Sequence, residues 1–151
     1  MRVHLSRPDL TEKEITAIDS VVQSPMLALG PNLARFESSI SSYIGVRHAI
    51  AVNSGTSGLH LLVRAFGIRD GDEVITTPFS FIASSNCILY ERAKPVCVDI
   101  EWGTANIDVD VIEAAITPRT KAILPVDAFG QPAVEGQLIH PGVRQLIHPS
   151  L

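Results

Sequence analysis

A chain of 151 residues, 46% of them apolar and 19% charged, is long enough for one domain with a buried core. Its net charge of −4 comes without a Lys/Arg cluster, which excludes the concentrated basic face used by nucleic-acid binders. Cys87 and Cys97 are too few for a disulfide framework or a zinc site and are expected to be core thiols; no apolar run suggests a signal core or a membrane span, so a soluble cytoplasmic protein without a metal site is expected.

Leu10-Thr-Glu-Lys-Glu-Ile15 reads as a helix start. Thr11 can cap, Glu14 completes a capping box, and Leu10 can pair with Ile15 as a hydrophobic staple. This helix is expected to run to about Val22, with a loop from Gln23 to Gly30. Pro31 suits a first helical position. Leu33, Phe36, Ile40 and Ile44 then fall on one face, and Gly45 ends the helix.

From here the pattern becomes regular. An apolar strand over Ala49–Val52 leads into Asn53-Ser-Gly-Thr-Ser-Gly-Leu59, and a helix follows to Gly67. Small, hydroxylated and glycine residues at a strand-to-helix junction can form a phosphate cup. The same residues also suit an ordinary N-cap and turn, and neither a Walker A nor a G-x-G-x-x-G spacing is present. Further strands are expected at Glu73–Thr77, Pro95–Asp99 and Lys121–Val126. Helices are expected from about Ser80 to Glu91 and from the Asp108 cap to Ile116.

Short apolar strands alternating with helices imply an α/β domain whose parallel sheet is covered on both faces. Ligands bind such sheets at the carboxyl ends of the strands. Asn53–Ser57, Pro78–Phe81, Asp99–Glu101 and Asp127–Gly130 would line that rim. From Val134 the pattern breaks, and Gln-Leu-Ile-His-Pro occurs twice, at 137–141 and 145–149. An unstructured tail is expected there, with His140 and His148 as no more than isolated histidines.

Several blocks occur in a telling order and spacing. They are Ser6-Arg-Pro-Asp-Leu10 with Glu12 to Ile15; Leu29-Gly-Pro31 with Phe36-Glu37; Tyr43-Ile-Gly-Val-Arg-His-Ala-Ile-Ala-Val-Asn-Ser-Gly-Thr-Ser-Gly-Leu59; Gly71-Asp-Glu-Val-Ile-Thr-Thr-Pro-Phe-Ser-Phe-Ile-Ala-Ser84; Pro95-Val-Cys-Val-Asp99; Asn106-Ile-Asp108; and Ile116 to Ile123 through Phe129-Gly-Gln-Pro-Ala133. Together, from about Arg2 to Ala133, they resemble the N-terminal portion of the DegT/DnrJ/EryC1/StrS aminotransferases, pyridoxal-phosphate enzymes that aminate nucleotide-linked keto-sugars.

The resemblance implies the incomplete large domain of the aspartate-aminotransferase-like (PLP fold type I) α/β architecture, a parallel-rich sheet with helices on both faces. Residues 1–133 would be its N-terminal part and 134–151 a non-family tail. Pyridoxal 5'-phosphate is the implied cofactor. Gly55 and Thr56 match the positions that hold its phosphate, and Phe81 matches the aromatic that stacks on its pyridine ring. The implied partners are a nucleotide-sugar substrate, an amino-acid donor and a second subunit in a homodimer.

The chemistry also needs a lysine that forms a Schiff base with the cofactor and an acid paired with the pyridine nitrogen. In the family both follow the Phe129–Ala133 block. Lys13, Lys94 and Lys121 do not match the lysine position, and Asp127 precedes the position of the acid. No catalytic residue is therefore assigned in this chain. A truncated chain, inactive alone, is expected. The alternatives are a non-catalytic fragment that docks on a complete subunit or binds phosphate, and a decayed gene product.

Overall fold

The computed structural model describes residues 7–133, 143 and 145–147. It divides into two units, Met1–Ala51 and Val52–Leu151.

The first unit holds two helices, α1 (Glu12–Val22) and α2 (Pro31–Ile44). The capping box at the start of α1 forms as its sequence requires. Thr11 accepts from the Lys13 amide, and Glu14 accepts from the Thr11 amide at 2.7 Å. Pro31 opens α2, and Gly45 closes it with φ 80°, a left-handed conformation that costs glycine least. Neither helix buries a side chain, and Ile15, Ile18, Val22, Phe36 and Ile44 are exposed.

The stretch Ala49–Val52, expected as a strand, is not one. It joins no ladder among the described residues. Instead the Ala51 amide donates to Glu37 Oε1 at 2.9 Å, so a side chain takes the role a neighbouring strand would have had.

The second unit is built on a parallel sheet in the order β2-β1-β3-β4. Its strands are β1 (Glu73–Thr76), β2 (Lys94–Cys97), β3 (Thr120–Ile123) and β4 (Gln145–Leu146). Alternation along the strands sends neighbouring side chains to opposite faces. Val74 and Ala122 join a core with Val63, Cys87 and Ile88, beneath α3 (Gly55–Ala65) and α4 (Ala83–Tyr90). Ile75 and Ile123 join the opposite core with Val98, Ile107 and Ile112, beneath a 3-10 turn (Val109–Val111) and α5 (Ile112–Ala115). The fold is thus a parallel sheet with helices on both faces, part of an α/β domain.

The strands are shorter than the apolar runs suggest. Pro78 follows β1 and Pro125 follows β3, and neither has an N–H to extend a ladder. The helix expected from Ser80 begins only at Ala83, and that expected from Asp108 becomes a 3-10 turn followed by one α turn. Asp108 still caps, accepting from the Asp110 amide at 3.0 Å.

Of the two expected core thiols, Cys87 is buried, and burial pushes its pKa up to about 11. Cys97 is exposed, because it ends β2 on the outer edge of the sheet. The expectation of an unstructured tail fails at residues 145–147. Gln145 and Leu146 pair with Ala122 and Ile123, and the Ile147 amide donates to the Ile123 carbonyl at 2.8 Å. His140, His148 and the remainder of the expected tail lie outside the described residues.

Candidate functional site

The junction singled out in the sequence is the first turn of α3. Helical backbone begins at Gly55, earlier than the apolar periodicity indicates. Ser54 is the N-cap, with its Oγ accepting from the Ser57 amide at 3.1 Å, and the Gly58 amide donates to the Ser54 carbonyl at 3.1 Å. The amides of Gly55 and Thr56 precede the first intrahelical bond, so helix geometry gives them no carbonyl one turn back. They add to the positive end of the helix dipole. A Cβ built on Gly55 meets nothing within 4 Å, so the space beside this residue is open. The N-cap reading is met by Ser54, with Gly55 and Thr56 as the first helical residues after it.

Phe81 lies in the loop between β1 and α4 and is 75% exposed. It is not a core aromatic on a helix face. Its loop is held at both ends. Thr77 Oγ1 accepts from the Phe79 amide at 3.2 Å, the Ser80 and Ser84 hydroxyls bond at 2.7 Å, and the Phe81 carbonyl accepts from the Ser84 amide at 3.1 Å. The loop after β3, the next strand in the sheet, carries Phe129, 90% exposed. Its ring stands 6.2 Å from that of Phe79, tilted by 59°. The carboxyl ends of β1 and β3 thus present aromatic side chains to solvent, and α3 packs on α4, the helix that follows this loop. Hydroxyls lie at the start of α3, and Phe81 is an exposed phenylalanine in the loop after β1.

Asp99, Asp127 and His60 each have local hydrogen-bond partners. Asp99 is exposed and accepts from the Ile100 amide at 2.8 Å; Asp127, after β3, accepts from the Ala133 amide at 2.9 Å. His60 Nε2 lies 2.7 Å from Glu91 Oε1, with its ring edge-on to Tyr90. The hydrogen bond from His60, reinforced by Arg64, holds the Glu91 carboxyl below its ordinary range. Lys94 Nζ sits 3.5 Å from Glu73 Oε1 at the amino ends of β1 and β2, and Lys121 lies near the start of β3. Both are at the end of the sheet opposite the rim. Lys13 belongs to α1.

Glu73 and Asn106 lie in blocks of the sequence that gave neither of them a role. Glu73, with its side chain 3% exposed, accepts from Thr117 Oγ1 at 2.6 Å and from Arg119 Nη2 at 2.8 Å. The Thr117 hydroxyl, then Arg119 and Lys94, lower its pKa against the opposing effect of burial. Its partners are 21 to 46 residues away in sequence, so no local pattern reveals it. Asn106 joins two loops at the carboxyl end of the sheet through Ala128 and Gln131. Among the described residues, clefts open away from the first turn of α3. One, of about 640 Å³, is lined by α1 and α2 residues such as Val21 and Phe36. Another, of about 500 Å³, is lined by Asn106 itself with Glu101, Asp108, Asp110 and Gln131.

A match to the DegT/DnrJ/EryC1/StrS aminotransferase family runs over residues 8–139. The spore coat polysaccharide biosynthesis protein SpsC of Bacillus subtilis is 44% identical over 126 residues, 83% of this chain and 32% of that protein. GDP-perosamine synthase of Caulobacter vibrioides is 42% identical over 131 residues, 86% of this chain and 35% of that protein. A putative sugar aminotransferase from Streptococcus pneumoniae, solved in its PLP form, superposes with a TM-score of 0.87 at 35% identity, over 91% of this chain and 35% of that one. The chain spans about a third of the length of the curated relatives it matches.

Proposed function

This chain belongs to the DegT/DnrJ/EryC1/StrS aminotransferase family, and on that basis we propose that it supplies the cofactor-phosphate site of a PLP-dependent sugar aminotransferase. Residues 1–133 form the first part of the large domain of such an enzyme. The observation that carries the reading is the open first turn of α3, where Gly55 has no Cβ and nothing occupies its place.

Gly55 and Thr56 bind the phosphate of pyridoxal 5'-phosphate with their amides and the Thr56 hydroxyl, and the dipole of α3 favours the anion. Phe81 bears on one face of the pyridine ring and limits its tilt. When bound, the cofactor supplies an electron-accepting ring and the carbon that takes up and releases an amino group. The complete enzyme acts on a nucleotide-linked keto-sugar with an amino acid as donor, as a homodimer in the cytoplasm. The exposed apolar residues of α1 and α2 favour docking on another subunit.

Lys13, Lys94 and Lys121 are unsuited to covalent attachment of the cofactor, and Asp127 is unsuited to pairing with its ring nitrogen. The chain by itself therefore holds the cofactor reversibly and does not transaminate. Titration with pyridoxamine 5'-phosphate, followed by its fluorescence, tests the site. Thr56→Val and Phe81→Ala should each weaken binding roughly tenfold, the value of one or two hydrogen bonds or one aromatic contact. Gly55→Ala should weaken binding without lowering Tm, because alanine suits a helix and meets no neighbour. Affinity unchanged in all three variants would sink the reading. So would a cofactor fixed to one of the three lysines by borohydride.

A further inference from the structure

Asn106 is 5% exposed and belongs to a sequence block to which no role attaches. Its backbone carbonyl accepts from the Glu101 amide at 2.9 Å, closing the chain reversal between Ile100 and Ile107. Its carboxamide crosses to the loop after β3. Oδ1 accepts from the Ala128 amide at 2.8 Å, an amide that also reaches the Val126 carbonyl at 3.0 Å, and Nδ2 donates to the Gln131 carbonyl at 3.0 Å. The reversed amide would set donor against donor and acceptor against acceptor, so the two partners fix its orientation.

These bonds bracket Phe129 and Gly130, whose φ angles of 55° and 81° are both left-handed. Glycine adopts that conformation freely. A phenylalanine keeps it only where its surroundings hold it. The outcome is a ring standing in solvent against Phe79, two residues before Phe81.

We propose that Asn106 is a positioning residue for the ring site: by bracketing 128–131 it holds Phe129 against Phe79 and so builds an aromatic wall beside Phe81. The role of that wall rests on Phe81 being the ring-contacting residue; the bracket does not. Aspartate cannot replace Asn106 at neutral pH. An ionised carboxylate accepts from Ala128 but cannot donate to the Gln131 carbonyl, whereas a protonated one can.

NMR of the full chain tests the bracket without ligand. In Asn106→Ala the Phe79–Phe129 ring contacts should be lost, and exchange of the Ala128 amide, left with the Val126 carbonyl alone, should quicken. The Leu124 amide, bonded to the Ile75 carbonyl at 2.8 Å, should stay protected and report an intact sheet. In Asn106→Asp, Ala128 protection should persist, and the ring contacts should weaken at neutral pH and return on acidification. Ring contacts and an Ala128 exchange rate that are both unchanged in Asn106→Ala overturn the proposal. If that variant does not fold, ring contacts in Asn106→Asp that are intact and independent of pH overturn it instead.

Pyridoxamine 5'-phosphate titration then tests the wall. Asn106→Ala and Phe129→Ala should each weaken binding roughly five- to tenfold, and the double variant should bind no more weakly than Phe129→Ala alone. Additive losses overturn the claim that Asn106 acts through Phe129. Failure of the unsubstituted chain to bind the probe is failure of the cofactor reading and of the wall with it, and the NMR contacts then decide the bracket alone.

Discussion

Single residues in this chain act through partners far away in sequence. Glu73 is the clearest case, a buried carboxylate at the amino end of β1 that ties down Thr117 and Arg119. Its pKa is lowered in the fold, so its contribution is fully present above the ordinary carboxylate range and is lost as pH falls through the folded value. Glu73→Gln should destabilise the chain by about 1–3 kcal/mol at neutral pH. The gap between variant and parent in urea denaturation should shrink as pH drops below about 4. A gap that is constant with pH would show that charge plays no part. Gly55 and Phe81 differ from Glu73 in that local blocks single them out as candidates, because each belongs to a turn whose residues are contiguous.

Helices were more legible than strands, and the reason is where their ends are fixed. Caps are local: Thr11 with Glu14, Pro31, Gly45 and Asp108 do what their sequence contexts require. Ser54 is the cap at the proposed site. Ser54→Ala removes the acceptor for the Ser57 amide and should cost about 1 kcal/mol in urea denaturation, with increased fraying of the first turn of α3 by hydrogen exchange. An unchanged exchange rate at Ser57 would contradict that role. A strand, by contrast, needs a neighbour. Ala49–Val52 is as apolar as β3, yet its Ala51 amide bonds to Glu37 instead of a ladder.

In the whole molecule, the edge of the sheet shows how contact overrides sequence pattern. Residues 145–147 come from a repeat that reads as a tail, yet they pair beside β3. Ile147 is 1% exposed and packs in the core with Val63, Val74 and Leu124. An unpaired β3 edge and an uncovered apolar face would both be unfavourable, and this short segment relieves both. Ile147→Ala should therefore destabilise the second unit by about 2–5 kcal/mol, read as a lower urea midpoint. A midpoint equal to that of the parent would show that the segment lies outside the cooperative core.

The sequence by itself determined the class of fold, the alternation of strands and helices, the caps, and the block order that identifies the family. These follow from short-range periodicity and turn chemistry, which each segment carries within itself. Tertiary structure alone decided which apolar run became a strand, which cysteine was buried, where Glu73 found its partners and how Asn106 reached the loop of Phe129. Those outcomes depend on pairing between segments distant in the chain, and a side chain is covered only when such a neighbour arrives.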